Sequence, residues 1–305
     1  MGFMSSCDLT ICSVDDTTKL KREKLEQYAF QSIDNAPGEE SAQGWANIDN
    51  FFDCEWRESP PEKGEWLTFA WRRDKRSVQA AVLRKRVEEQ LASYEAKGLK
   101  VKKKEVKEQV KSTLLAKADP VPSAVDCAVS MKSGLLLIAS TSKGNLEAIE
   151  GLLGSSFGVE VHQKTTEADV AGMFVQIFQE GVQTEYEGAS YTLSYADQMT
   201  LVGDSSDDKA AITIKNDRET VGHALDNEFT IQKIRVNLSK NDEEAFTWNF
   251  FLKYDQGQLS IHSVRLPAPE GNDDYKDDQD AMFVFRMDLF ETLVNILCQI
   301  FEMKE

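Results

Sequence analysis

The sequence is poor in the groups on which most enzyme chemistry is built. It has three histidines, His162, His223 and His262, far apart and without metal-ligand neighbours at helical spacing. Each reads as a surface or half-buried structural residue. There is no GxxxxGK[ST] loop, no GxGxxG after a strand, no HExxH and no GxSxG. The sequence therefore offers no phosphate-cradling loop, dinucleotide fingerprint, zincin helix or nucleophile elbow. The five cysteines, Cys7, Cys12, Cys54, Cys127 and Cys298, are odd in number and contain no CxxC pair. They suit a reducing compartment better than a disulfide framework or a zinc site. Every apolar run is too short for a membrane-spanning helix, so none is expected. Met1 to Val14 has no basic start and no cleavage site, so no export signal is read and a cytoplasmic location is expected. No cofactor and no metal site are expected.

What the chain does have is charge, unevenly placed. Its 305 residues carry a net charge of −17. Yet Trp71 to Lys117 holds 15 basic residues against six acidic ones, a net of +9, which leaves −26 on the remainder. Such asymmetry points to a polyanion partner, where the overall isoelectric point would mislead. The segment reads as two helices. Leu83, Val87, Leu91 and Tyr94 make one apolar stripe, and Val106, Val110 and Leu114 a second. Gly98, after Lys97, suits the left-handed residue that ends the first helix. Lys103, Lys107 and Lys111 recur at steps of four, and each such step turns a helix by about 40°. The three ammonium groups therefore drift along one flank of a helical hairpin. A solvated charged hairpin is the plainer alternative.

Around that segment the pattern is α+β. Leu9 to Val14 reads as a strand and Leu20 to Phe30 as a helix, followed by a loop rich in Gly, Ser, Asn and Glu. Pro60-Pro61 marks a turn, and Glu65 to Trp71 a strand with Leu67, Phe69 and Trp71 on one face. Pro120 and Pro122 stop the hairpin. Asp126 to Met131 and Leu135 to Ser140 make a β-hairpin, and Thr141 or Ser142 caps a helix carrying Leu146, Ile149, Leu152 and Leu153. Val159 to Val161 is a short strand and Asp169 to Gln179 a helix. Beyond Tyr191 the texture is strand: 191–195, 199–203, 211–215, 229–238, 245–254 and 258–266, with Gly257 at a hairpin turn and a small helix at 221–225. An acidic loop, 270–280, precedes a final helix carrying Phe285, Leu289, Leu297 and Phe301. The fold class expected is α+β with antiparallel sheets. Its division is expected at residue 165, into 1–165 with the hairpin at 77–117 and a strand-rich 166–305.

Two other groupings bear on chemistry. Asp273, Asp274, Asp277, Asp278 and Asp280 in the acidic loop lack the central glycine and closing glutamate of an EF-hand loop, so a solvated loop is expected. Asp53 and Glu55, near Trp56, do not complete the clustered carboxylates that a Mg²⁺-dependent nuclease needs. The aromatics Trp45, Phe51, Phe52, Trp56, Trp66, Phe69 and Trp71 resemble a base-stacking platform in composition. Core packing is preferred, because Phe69 and Trp71 share one strand face.

The order of these pieces resembles the RdgC family of bacterial recombination-associated proteins. The features that carry the resemblance are Gly44-Trp45, Arg73-Asp74-Lys75-Arg76 leading into Val82-Leu83-Arg84, the lysine-rich Lys102 to Lys111 run ending in Leu114-Leu115, Gly134-Leu135-Leu136 followed by Ser140-Thr141-Ser142, Leu201-Val202-Gly203, Arg265-Leu266-Pro267, Asp280 and Arg286-Met287. The resemblance implies a ring-shaped two-fold homodimer that encircles double-stranded DNA without sequence preference. It also implies that the protein restrains RecA-dependent recombination, is associated with the nucleoid and has no catalytic role. Two positions depart from the family pattern. Gln79 stands where a proline is usual, and Asp119 stands near a position that is aromatic in some members. The resemblance therefore carries no aromatic ring-closing contact to this chain. Lys215, with Asn216, matches a basic-polar pair that members place near the other end of the ring. The DNA-contacting residues expected are Arg72, Arg73, Lys75, Arg76, Arg84, Lys103, Lys107, Lys111, Lys117 and Lys215. The alternatives are a Mg²⁺-dependent DNA exonuclease and an acidic protein-interaction factor.

Overall fold

A computed structural model describes residues 2–34, 36, 39–203, 211–255, 257–268 and 278–304, the side chains of 244 and 245 excepted. Along the chain the elements are β1 (Cys7–Val14), α1 (Arg22–Gln27), β2 (Ser41–Ala46), β3 (Glu62–Lys63), β4 (Trp66–Lys75), α2 (Ala80–Ala96), α3 (Lys103–Leu115), β5 (Val121–Ser130), β6 (Leu135–Ile138) and α4 (Lys143–Phe157). There follow β7 (Val161–Gln163), β8 (Thr165–Thr166), α5 (Val170–Gln179), β9 (Val182–Tyr186), β10 (Ala189–Val202), β11 (Ala211–Lys215), α6 (Arg218–Asp226), β12 (Thr230–Lys240), β13 (Glu243–Asp255), β14 (Gln258–Arg265), α7 (Gln279–Ile300) and β15 (Met303–Lys304). The fold is α+β, with a large antiparallel sheet and, among the described residues, seven α-helices.

The chain forms two compact units, and they do not follow the division expected at residue 165. One comprises Met1–Leu20, Glu62–Thr68 and Asp126–Glu305; the other comprises Lys21–Pro61 and Phe69–Val125. The second carries 19 basic and 16 acidic residues, the first 16 and 36.

In the larger unit the sheet runs β11-β10-β12-β13-β14-β1-β6-β5. Alternation on β12 and β13 buries Ile234, Val236, Leu238, Trp248, Phe250 and Leu252, as a strand with one covered face requires. Helix α5 packs on β10 and β12, and the Trp248 indole donates to the carbonyl of Leu289 on α7 at 3.2 Å. The expected strands at 191–195 and 199–203 are one strand, β10. Its pairing with β12 passes from Tyr195↔Val236 to Met199↔Ile234, so β10 carries two extra residues there. Such a bulge hides a strand's continuity from the hydrophobic pattern. Helix α5 starts as expected, with the Asp169 carboxylate accepting from the Gly172 N–H. Of the acidic loop, Asp278 caps α7 by accepting from the Ala281 N–H, and Asp280 pairs with Lys63. Asp273, Asp274 and Asp277 lie outside the described residues.

In the smaller unit, β2 pairs with β4 over Ser41↔Lys75 to Ala46↔Ala70. Strand β2 was not legible: SAQGWA has no β-branched residue, and its extended state comes from its partner. The helix expected at Leu20 to Phe30 is only Arg22–Gln27. Beyond it the chain turns extended, so that Phe30 N–H donates to Trp45 O at 2.8 Å and Trp45 N–H donates to Tyr28 O at 3.0 Å. A Cβ on Gly44 would sit 2.5 Å from Phe30 Cα, so only glycine permits this approach. Trp45, Phe69 and Trp71 are fully buried, and Trp45 meets Phe69 edge-on at 4.8 Å. Trp56 and Trp66 are buried too, while Phe52 is 61% exposed. The tryptophans and Phe69 are core, while Phe51 is half-buried and Phe52 exposed.

Strand β4 runs past the expected Trp71, into the basic run itself. Alternation then sends Arg72, Asp74 and Arg76 to one side, and all three are buried. Arg72 grips Asp74 through two parallel bonds, Nε–Oδ1 at 2.8 Å and Nη2–Oδ2 at 2.7 Å. Its Nη1 donates to Phe51 O, and its guanidinium stacks 4.0 Å from the Phe30 ring centroid. The hydrogen bond to Asp74 holds the Arg72 proton more tightly than usual. Arg76 donates through Nη2 to Ile33 O at 2.8 Å and through Nη1 to Ala36 O at 3.3 Å. The expectation that Arg72 and Arg76 face a ligand is thus corrected: both guanidinium groups are engaged inside this unit.

A buried ion pair is costly to half-remove. Arg72→Ala should cost about 3–5 kcal/mol of stability, because Asp74 is left charged and uncompensated. The double change Arg72→Met, Asp74→Leu should cost much less. Urea midpoints for the three proteins check this; equal losses for the single and double variants would contradict it. The thiols give a second test. Burial pushes Cys7 and Cys12 up to about 12, so neither is a thiolate at neutral or mildly alkaline pH. Alkylation of the folded protein should mark the half-buried Cys54 and Cys298 first and spare Cys7, Cys12 and Cys127 until unfolding, as read by peptide mass spectrometry.

Candidate nucleic-acid interface

Helices α2 and α3 follow directly from β4. The apolar stripes read from the sequence form the seam between them: Val87 and Val106 are buried, and Leu83, Leu91, Tyr94, Val110 and Leu114 half-buried; Leu115, outside those stripes, is buried as well. The two helices are also tied by Tyr94 OH, which donates to Gln109 Oε1 at 3.5 Å. Helix α2 ends as expected. Gly98 has φ +67, its N–H donates to Glu95 O at 2.9 Å, and Leu99 N–H donates to Tyr94 O at 3.0 Å. Those two bonds are the pair that closes a Schellman motif.

The charges of this helix pair lie outside the seam. Arg84, Lys103, Lys107, Lys111 and Lys117 are exposed, as are Lys75 and, on β11 in the other unit, Lys215. Arg73 is half-buried. A groove of ≈ 300 Å³ has Leu83 and Val87 along it, with Arg84, Lys103 and Lys107 on its walls and Glu88 as its one acidic residue. Among the described residues neither Arg84, Lys103 nor Lys107 has a carboxylate within ion-pair distance, whereas Lys111 stands 3.7 Å from Glu40. Arg84 belongs to α2 and the two lysines to α3, so their convergence is visible only once the helices pair.

The start of α3 is electrostatically unusual. Its N-cap is Lys102, with no side chain accepting from the exposed N–H groups, and Lys103 and Lys104 occupy the first turn beside Glu105. Lys102 reaches Glu105 at 3.6 Å. A helix N-terminus already carries partial positive charge, so cations there are unfavourable and an anion is welcome. The N-cap of α2, Gln79, also makes no side-chain capping bond.

The remaining candidates have other occupations. Burial works against ionisation of Asp53. It is outweighed by hydrogen bonds from the Glu58 and Glu55 N–H groups and the Asn47 amide, which hold the carboxyl below its usual range. Asp53 thus organises its own loop. His162 stands 4.0 Å from Glu160 and His223 3.8 Å from Glu219, both exposed, and His262 lies 3.2 Å from Asp8. Among the described residues no three His, Cys, Asp or Glu side chains lie together as a metal ion would need. Among the same residues no helix is long and apolar enough to cross a membrane.

A comparison with curated proteins gave no match. A family model described as "Putative exonuclease, RdgC" matches residues 9–304, nearly the whole chain. The match takes in the strand that leads to the helix pair, the pair itself and the terminal helix, and on it this chain belongs to the RdgC family.

Proposed function

We propose that the chain binds double-stranded DNA without sequence preference, through a basic helical hairpin made of α2 and α3, and performs no chemistry on the DNA. The observation that carries the reading is the groove walled by Arg84, Lys103 and Lys107, three cations with no carboxylate partner among the described residues, beside a lysine-crowded helix start. Phosphates supply the missing counter-charge. The side chains are exposed and long, and they recur along a helix rather than converging on a point. That suits backbone contacts, which position a protein and carry no base information. Membership of the RdgC family supports a recombination-associated role on the nucleoid. The finer reading rests on the family resemblance: a ring-like homodimer with two hairpins around one channel, restraining RecA-dependent strand exchange. A two-fold ring also reconciles a −17 chain with a polyanion, since repulsive charge can face outward. A second reading, a Mg²⁺-dependent exonuclease, is favoured by the family's own description.

Six exposed cations serve the first reading: Lys75, Arg84, Lys103, Lys107, Lys111 and Lys117. About six phosphate contacts imply a roughly thousandfold loss of affinity between about 50 and 200 mM salt. Changing Lys103, Lys107 and Lys111 together to Ala should weaken binding equally for unrelated sequences. It should also shallow the salt slope by about one unit per lost contact, and leave the fold intact, because alanine keeps helix propensity. Singly, Lys103→Ala and Lys107→Ala should each cost more than Lys111→Ala, which already has Glu40 as a partner. Gel shifts at graded salt check these outcomes; an unchanged slope for the triple variant would remove the hairpin from the reading.

The exonuclease reading is separated by incubating plasmid and linear DNA with Mg²⁺ or Mn²⁺. Retarded but intact DNA is expected. Ends shortened with repeated turnover, and left intact by an Asp53→Asn variant, would establish the second reading instead.

A further inference from the structure

A set of three side chains in the larger unit has no part in the DNA reading. On β14, Ser260 and His262 are two residues apart and so share a strand face. The Ser260 Oγ lies 3.0 Å from His262 Nε2. The other ring nitrogen, Nδ1, lies 3.2 Å from Oδ2 of Asp8 on β1. Asp8 is itself fixed: its Oδ1 accepts from the Ser263 N–H at 3.0 Å, and its Oδ2 accepts from Thr141 Oγ1 at 3.5 Å. Ser263 adopts φ +54, a conformation that non-glycine residues rarely take. Hydroxyl, imidazole and carboxylate thus stand in line at hydrogen-bond distance, the arrangement by which a serine is activated on unrelated folds.

The hydrogen-bond donors decide what the set can do. With Nδ1–H donating to Asp8, the neutral imidazole presents Nε2 as an acceptor, and the Ser260 O–H donates to it. Ser260 Oγ is also 3.2 Å from Lys253 O. When the imidazole is doubly protonated, Nε2–H donates to Ser260 Oγ instead, and the hydroxyl proton turns to that carbonyl. The serine proton therefore has two seats, and only the first makes the oxygen nucleophilic. Ser260 and His262 open onto a polar cleft of ≈ 590 Å³ whose charged residues are Lys143, Lys253, Glu147, Glu150 and Asp255.

We infer that Ser260, His262 and Asp8 form an acyl-transfer site for small polar esters. Ser260 Oγ attacks the ester carbonyl while His262 Nε2 takes the hydroxyl proton. The tetrahedral adduct collapses, the C–O bond to the alcohol breaks, and His262 returns that proton to the departing alkoxide. Water then attacks the acyl-serine with His262 again taking a proton, and the acid leaves as Ser260 is restored. Asp8 is a positioning residue: it holds the ring tautomer and the developing imidazolium. Lys143 and Lys253 line the cleft beside carboxylates of the same lining, 3.8 Å from Glu147 and 3.3 Å from Asp255, so neither is a free charge reserved for the carbonyl oxygen. The mostly polar lining suits short acyl chains.

The test uses the full chain, a fluorophosphonate probe and p-nitrophenyl acetate. The probe should mark the peptide containing Ser260, located by mass spectrometry after digestion, and the mark should vanish in Ser260→Ala. His262→Gln should slow both labelling and ester hydrolysis by about a hundredfold or more, the usual share of a general base. Asp8→Asn should lower kcat with little change in KM, a split that a merely structural role would not produce. Should Ser260→Ala fail to fold, the position of the adduct in the parent protein decides alone. An adduct absent from Ser260 in the folded parent, or equal ester hydrolysis by the parent and a folded Ser260→Ala, would overturn the inference and leave the three residues as a structural hydrogen-bond chain.

Discussion

A guanidinium cannot be buried without partners, and the smaller unit is built around meeting that demand. Strand β4 carries one face of the basic run into the interior, and it can do so only because Asp74 follows Arg72 at the strand's own period. The ion pair is flanked by Phe30, Phe51 and Phe52. At the next step of the same period, Arg76 donates through its two Nη groups to the carbonyls of Ile33, Asp34 and Ala36, which ties those residues to the end of β4. Pairing of β2, the close approach at Gly44 and the take-off of α2 all follow from a strand held in place to its last residue.

The helix pair then divides its labour by side-chain type. Val87 and Val106 provide the buried contact, while Arg84, Lys103 and Lys107 stand outside it. Exposed charges contribute little to holding two helices together. Their field is the more conspicuous because the unit is nearly balanced, with 19 basic against 16 acidic residues, and the larger unit holds 36 acidic residues against 16 basic. The start of α3 adds three lysines where the backbone is already electropositive. That placement is poor for an isolated helix and good for one that meets phosphates.

Local signals were legible in the sequence, and distant ones were not. The two stripes, Gly98 as the helix stop and Asp169 as a cap act over short spans of chain, and the structure keeps them. The β5–β6 hairpin closes near Gly134 for the same reason. By contrast, composition alone makes Arg72 and Arg76 look solvent-facing, and only their period corrects it. Leu67, Phe69 and Trp71 already mark a period of two, and carrying it on sets Arg72, Asp74 and Arg76 together on the other side. Strand β2 depends on a partner beyond a long connection, and the unit boundaries on chain pieces that are not contiguous. Ser260 and His262 were neighbours on paper, but Asp8, near the opposite end of the chain, joins them only through the β1–β14 pairing.

The separation between seam and flank has an evolutionary side. Changes at Arg84, Lys103 or Lys107 scarcely touch the packing, so the fold does not punish them; only a partner can. Changes at Arg72, Asp74 or Arg76 are punished at once, whatever the partner. The helix pair can therefore gain, lose or reposition charge in small steps while its scaffold stays fixed. Related chains are free to differ in how tightly, and at what ionic strength, they hold a polyanion without passing through a sequence that fails to fold.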